Sequence, residues 1–250
     1  MKERLNKKEL LIGSMISEVA LPNLLRIFKV GGLDYAIVDC EHGSFTFSQL
    51  ADMVAVANAI ELPIIIRIPD NTRENVLKML ELGADGLLLP MADTPQILEQ
   101  VVKYGKYPPL GKRGLATSRP HCNYSMGDVR AYLRKANERT MIFGQVETRE
   151  ALNNCDALFS VNGVDGLFIG PNDLSVDLGI PGDVSDPIIM ESVRKVHAAA
   201  KRAGKPLGVI TSNDTLLQNC YDEGLRLFSI SSETGMISKS VKRIAKTFGE

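Results

Sequence analysis

Tyr35-Ala36-Ile37-Val38, followed at once by Asp39-Cys40-Glu41-His42-Gly43, is a short apolar run that ends in a cluster of polar side chains. An unbroken apolar run of this length reads as a strand buried on both faces, and the polar cluster reads as the mouth that it feeds. Working outward from this stretch, the same unit recurs. Leu11–Ile16, Ile64–Ile68, Gly86–Leu89, Met141–Val146, Gly166–Ile169, Leu207–Ile210 and Leu227–Ile230 bring the strand candidates to eight. Amphipathic helical patterns separate them. In Arg73–Leu82 the stripe is Val76, Leu77 and Leu80, the expected cap is Asn71 with Glu74 three residues on, and Gly83 ends the helix. Gly204 and Gly224 punctuate the chain in the same way before the last two strands. Alternating strands and helices imply a parallel sheet, and eight repeats imply one closed (β/α)8 (TIM) barrel over residues 1–250.

The bulk properties agree with one barrel. The chain has 250 residues, 44% of them hydrophobic, enough for a full-sized core. A formal net charge of -1, from 29 basic and 30 acidic side chains spread along the chain, offers no field to attract nucleic acid or an anionic membrane. A small molecule is the expected partner. No apolar run approaches the ~20 residues of a membrane span and the first ten residues are charged, so a cytoplasmic protein is expected. Cys40, Cys122, Cys155 and Cys220 are too scattered for a CxxC site and read as reduced, with Cys40 and Cys220 in the core. The one long irregular stretch, Tyr107–Met126, precedes a helix near Asp128–Ala136.

In such a barrel the chemistry sits where strands end. There the sequence places Asp39, Glu41 and His42 after the second strand, Arg67 at the end of the third, Gln145 and Glu147 at the fifth, and Gly170-Pro171-Asn172-Asp173 after the sixth. Glu147 and Asp173 are the metal candidates, because two carboxylates completed by water and substrate suit a hard cation such as Mg2+ or Mn2+. Each alone reads more readily as a helix cap or an arginine partner; it is the pair, with Arg67 and His42 also at strand ends, that points to a site. His42 can move a proton near neutral pH, with Asp39 or Glu41 to set its tautomer. Arg67, next to Ile64-Ile65-Ile66, needs an anion: a structural carboxylate or a developing oxyanion. Gly170-Pro171-Asn172-Asp173 can present backbone N–H groups to a carboxylate, although it is also ordinary turn chemistry. His121 is either a substrate contact or a solvated loop residue, and His197 reads as surface. No lysine stands at the C-terminal end of a strand, so a Schiff-base mechanism lacks its nucleophile.

These residues resemble the HpcH/HpaI family of class II, metal-dependent pyruvate aldolases. The likeness runs along essentially the whole chain and is carried by Asp34–His42, Ile66-Arg67-Ile68-Pro69, Gly83-Ala84-Asp85-Gly86, Gln145-Val146-Glu147-Thr148 and Gly170-Pro171-Asn172-Asp173-Leu174-Ser175. It implies a lyase that cleaves a 4-hydroxy-2-oxo acid to pyruvate, or a related 2-oxo acid, and an aldehyde. It further implies that Glu147 and Asp173 bind Mg2+, Mn2+ or Co2+ beside Gln145, and that the backbone at Asn172 and Asp173 holds the substrate carboxylate. By the same likeness Arg67 stabilises the enolate oxygen, His42 oriented by Asp39 moves the proton, and Ile210 lines the pocket beside the pyruvyl methyl. A homohexamer of dimers is implied too, with the last helix, within Glu233–Glu250, exchanged between subunits.

Gly111-Lys112-Arg113-Gly114 resembles the family's loop that covers the site or enters it from an adjacent subunit, and Arg119 is then the expected contact for a distal carboxylate. Leu115–Tyr124 depart from the family's pattern, which leaves the acceptor aldehyde open. A citrate-synthase-like or citryl-lyase-like enzyme acting on oxaloacetate would share the same motifs. A catalytically inactive barrel that binds a 2-oxo acid is the alternative of another class.

Overall fold

The structure, a computed structural model, describes residues 1–249. Its eight strands are Leu11–Ile16 (β1), Tyr35–Asp39 (β2), Ile64–Arg67 (β3), Gly86–Leu89 (β4), Met141–Val146 (β5), Gly166–Ile169 (β6), Leu207–Thr211 (β7) and Leu227–Ser232 (β8). All neighbours pair in parallel and β8 returns to β1, which closes the barrel. The helices are Lys2–Asn6 (α1), Pro22–Val30 (α2), Phe47–Ala59 (α3), Arg73–Glu81 (α4), Pro95–Gly105 (α5) and Val129–Arg139 (α6). They continue with Arg149–Asn153 (α7), Cys155–Ser160 (α8), Pro171–Asp177 (α9), Pro187–Ala203 (α10), Asp214–Asp222 (α11) and Glu233–Phe248 (α12).

Strands buried on both faces give two apolar layers. Leu11, Met15, Tyr35, Ile37, Ile65, Leu88, Met141, Phe143, Phe168 and Leu227 fill the barrel, with Leu5 of α1 packed on them. The alternate strand residues, such as Ala36, Val38, Ile64, Ile66 and Val209, join the helices in a larger outer layer. Glycine makes room for the large inner rings: a Cβ at Gly13 would lie 2.6 Å from the Tyr35 ring, and one at Gly208 would lie 2.5 Å from that of Phe168. The Tyr35 hydroxyl donates to the Phe228 carbonyl at 2.7 Å, so its polar end is satisfied inside the core.

Four expectations change. The cap of α4 is Thr72 rather than Asn71, and its side chain accepts from the Asn75 N–H while Asp70 accepts from the Thr72 N–H. His197 is buried, because it lies on the same face of α10 as Val193 and Ala200. His121 is buried as well: its ring meets the Tyr132 hydroxyl at 2.5 Å and the Ala116 carbonyl at 3.1 Å, so it fastens the loop rather than facing solvent. Cys220 is in the core, whereas Cys40 is only half-buried at the edge of the outer layer.

The long loop joins α5 to α6 and therefore lies at the end of the barrel where strands begin. Arg113 ties it there, donating to the Leu80 carbonyl at 3.2 Å and stacking on Tyr107 with 4.8 Å to the ring centre. At the other extreme of the chain, α12 leaves β8 with only Glu233 buried. Ile237, Val241, Ile244 and Phe248 line one side of it and are all exposed.

Candidate active site

At the C-terminal end of β2 and β3, register places Asp39 level with Arg67. Both are buried, Asp39 at 3% and Arg67 at 6% exposure. The guanidinium grips the carboxylate with two bonds, Nε to Oδ1 at 2.8 Å and Nη2 to Oδ2 at 2.5 Å. Its third nitrogen, Nη1, reaches Glu41 Oε2 at 3.1 Å. Burial pushes the Asp39 carboxyl up, but the Arg67 bonds and charge outweigh it and hold the group below the usual carboxylate value. Asp39 Oδ1 also accepts from the backbone N–H of Glu41 at 3.0 Å and of His42 at 3.4 Å. Asp39 therefore shapes the turn that carries His42. The expected contact from Asp39 to the imidazole is absent, since the fork of Arg67 occupies the carboxylate; the carboxylate nearest the ring belongs to Glu41, 3.7 Å from Nε2. The His42 ring is 67% exposed at the mouth.

Across the barrel, Glu147 and Gln145 are each 2% exposed at the end of β5. Glu147 Oε1 accepts from the backbone N–H of Met91 at 2.6 Å, and Oε2 accepts from Gln145 Nε2 at 2.5 Å. No cation pairs with Glu147 among the described residues. Burial pushes its carboxyl up to about 7; the Met91 N–H opposes this, and the charges of Asp173 and Glu41 add to it. Gln145 Oε1 is buried with no hydrogen-bond partner. Gly170 leaves the space open, because a Cβ there would lie 2.7 Å from both Gln145 Nε2 and Glu147 Oε2. Asp173 stands exposed in the first turn of α9, where the N–H groups of Asn172 and Asp173 lack helical partners.

Two clustered carboxylates, an amide oxygen without a donor and a charge that resists burial are the features of a site for a hard divalent cation. Only two protein carboxylates would contribute to it; no group of three or more His, Cys, Asp or Glu is arranged to hold a metal among the described residues. The remaining positions would fall to water and substrate, as is common for Mg2+.

Asn172 and Ile210 line one cavity of about 650 Å3 between the ends of β7 and β8 and the start of α12, with Ser212, Ser231, Lys239 and Lys242 further out. Ile210 also packs against the inner core layer. Arg119 is exposed on the loop at the opposite end, so within one chain the structure does not bring it to the others. Two contacts are not signalled by the sequence. Glu41 is expected there as one of two carboxylates that can set the His42 tautomer, and the structure adds that its charge faces Arg67. The Met91 N–H reaches Glu147 only because Met91 adopts φ 47°, which nothing in the side-chain pattern signals.

The pattern of the HpcH/HpaI aldolase/citrate lyase family matches residues 15–240. The chain is 31% identical over 244 residues to a hydroxypyruvate/pyruvate aldolase of Roseobacter denitrificans, covering 98% of this chain and 94% of that one. It is 33% identical over 245 residues to a 2-keto-3-deoxy-L-rhamnonate aldolase of Escherichia coli K12, covering 96% and 89%. In three dimensions it matches the crystal structure of an HpcH/HpaI aldolase from Desulfitobacterium hafniense DCB-2 with a TM-score of 0.96 at 31% identity, covering 100% of this chain and 96% of that one. A closed barrel with its acidic and basic groups gathered at the strand ends, matched along nearly its whole length, places the chain in the HpcH/HpaI aldolase/citrate lyase family as an aldolase-type carbon–carbon lyase.

Proposed function

We propose that the chain cleaves a 4-hydroxy-2-oxo acid to pyruvate, or a closely related 2-oxo acid, and an aldehyde. The observation that carries this reading is the buried Glu147 beside the unpartnered Gln145 Oε1, with Asp173 close enough to raise its proton affinity. Glu147 and Asp173 are the residues that would hold the divalent metal. Mg2+ or Mn2+, or Co2+ as a substitute, would supply Lewis-acid polarisation of the 2-oxo group.

The chain's own groups have separable tasks. The first-turn N–H groups of Asn172 and Asp173 bind the substrate carboxylate. Ile210 lies beside the methyl of the 2-oxo acid, and the rest of the carbon chain extends into the cavity that Ile210 shares with Asn172. His42 removes the proton of the 4-hydroxyl. The C3–C4 bond breaks, the aldehyde leaves, and the electron pair is stored as an enolate whose oxygen faces the positive charge of Arg67. A proton returned to C3 completes pyruvate. Glu41, between Arg67 and His42, steadies both.

The direct test is deuterium exchange into the methyl group of pyruvate in D2O, followed by proton NMR with and without Mg2+ or Mn2+. It reports enolate formation and needs no knowledge of the aldehyde. Metal-dependent exchange that His42→Ala abolishes is the expected result. No exchange in folded, metal-loaded protein would sink the pyruvate reading and leave oxaloacetate chemistry or a binding role.

The exposed stripe of α12 supports assembly on a second copy, in the exchanged-helix hexamer that the resemblance implies. Assembly is also the route by which the loop bearing Arg119 would meet a site, that of a neighbour. Four free cysteines fit a reducing, cytoplasmic setting.

A further inference from the structure

Glu233, the first residue of α12, is 1% exposed and has no basic partner among the described residues. Its carboxylate is held instead by the loop that follows β1. The Ser17 N–H donates to both oxygens at 2.9 and 3.0 Å, the Glu18 N–H at 2.6 Å, the Val19 N–H at 2.9 Å and the Ser17 hydroxyl at 3.3 Å. A buried carboxylate with this many charge-assisted bonds fixes the donors as firmly as they fix it. Burial pushes the Glu233 carboxyl up, and the backbone donors outweigh that and bring it below the usual value.

The fixed loop forms one wall of the His42 turn. A Cβ at Gly43 would lie 2.7 Å from the Ser17 carbonyl oxygen and 2.3 Å from that of Asp39, so the turn is wedged between the end of β2 and Ser17. From the β2 side its hold on His42 is slack: the His42 N–H reaches Asp39 at 3.4 Å, and the ring is mostly exposed. The Ser17 wall is thus the second constraint on where the imidazole stands.

We propose that Glu233 is a positioning residue for His42, setting the Ser17–Val19 wall against which the Glu41–Gly43 turn packs and tying that wall to the root of α12. This rests on the assignment of proton transfer to His42. A helix that seats on a neighbour and a turn that carries the proton-transfer group would then share one buried carboxylate.

The test compares Glu233→Gln, which keeps the size and loses the charge, with Glu233→Asp, which keeps the charge and shortens the reach. Four quantities are read on the intact protein: the His42 ring resonance, pyruvate affinity with Mn2+, methyl exchange of pyruvate, and Tm. His42 is the exposed one of the three histidines, so its signal is distinguishable from those of buried His121 and His197.

For Glu233→Gln, measured well below its Tm, the His42 signal should shift and exchange should fall by about tenfold or more, since small misplacements of a reacting group cost that much. Pyruvate affinity should stay within about twofold because the metal site lies across the barrel, and Glu233→Asp should recover part of the exchange. An unmoved His42 signal with full exchange and only a lower Tm would reduce Glu233 to a structural lock and overturn the proposal. If the wild type shows no exchange at all, the aldolase reading fails separately, and an unmoved His42 signal in Glu233→Gln would still count against the positioning role.

Discussion

Arg67 is the side chain on which the buried charge of the barrel mouth depends. Its guanidinium neutralises Asp39 inside the barrel mouth and also reaches Glu41. Arg67→Ala would leave a buried carboxylate unpaired, at a cost of about 3–5 kcal/mol in thermal or denaturant melts, and would abolish exchange of the pyruvate methyl. Arg67→Lys keeps a charge but loses the two-pronged grip, so it should fold better than the alanine variant while exchange stays strongly reduced.

Glu147 predicts an opposite pH dependence from Asp39. Its folded-state pKa, raised from the ordinary 4.5 to about 7, means that the metal-free protein holds this proton more tightly than the unfolded chain. Its contribution to stability is therefore lost as pH rises from about 4.5 to 7. Asp39 is lowered, so its contribution is full above the ordinary carboxylate value and is lost only as pH falls through its lowered one. Because a metal bound at the proposed site would have to expel the Glu147 proton, calorimetric titration should show Mn2+ affinity rising between pH 6 and 8. Glu147→Gln should abolish that binding and flatten this part of the Tm profile.

At the scale of the element, the apolar runs coincide with the cores of the strands, and the strands differ from them by a residue or two at their ends. Asp39, Thr211, Ser231 and Ser232 extend β2, β7 and β8 beyond the apolar runs, because pairing with a neighbour carries polar residues into the ladder. The α4 cap moved from Asn71 to Thr72 for a local reason, the competing turn around Asp70. The inner rings explain the glycines inside strands β1 and β7. Gly208→Val should force the Phe168 ring aside and cost about 1–3 kcal/mol in a melt, with little effect on metal affinity.

On the scale of the whole molecule, α12 is the part that a single chain leaves unfinished. Ile237, Val241, Ile244 and Phe248 are between 50% and 88% exposed, on a helix that touches little but β1 and β8 at its root. Light scattering should find an assembly larger than one chain, and Ile244→Glu should shift it towards monomer and make Tm independent of protein concentration. No helix among the described residues is long and apolar enough to cross a membrane, so that stripe is no membrane span.

The sequence by itself determined the barrel and the cast of its mouth, because eight apolar runs, several of them ending in polar residues, admit few other arrangements, and strand ends in such a barrel share one face. Tertiary structure alone decided which of those residues meet. That Asp39 grips Arg67 rather than the His42 ring follows from strand register. The raised proton affinity of Glu147 follows from burial and from the Met91 backbone. Arg119 lies at the far end because Arg113 and His121 fasten its loop beside α4. Pairing, burial and backbone conformation are set by contacts between segments far apart in the chain, and the local pattern of one segment does not encode them.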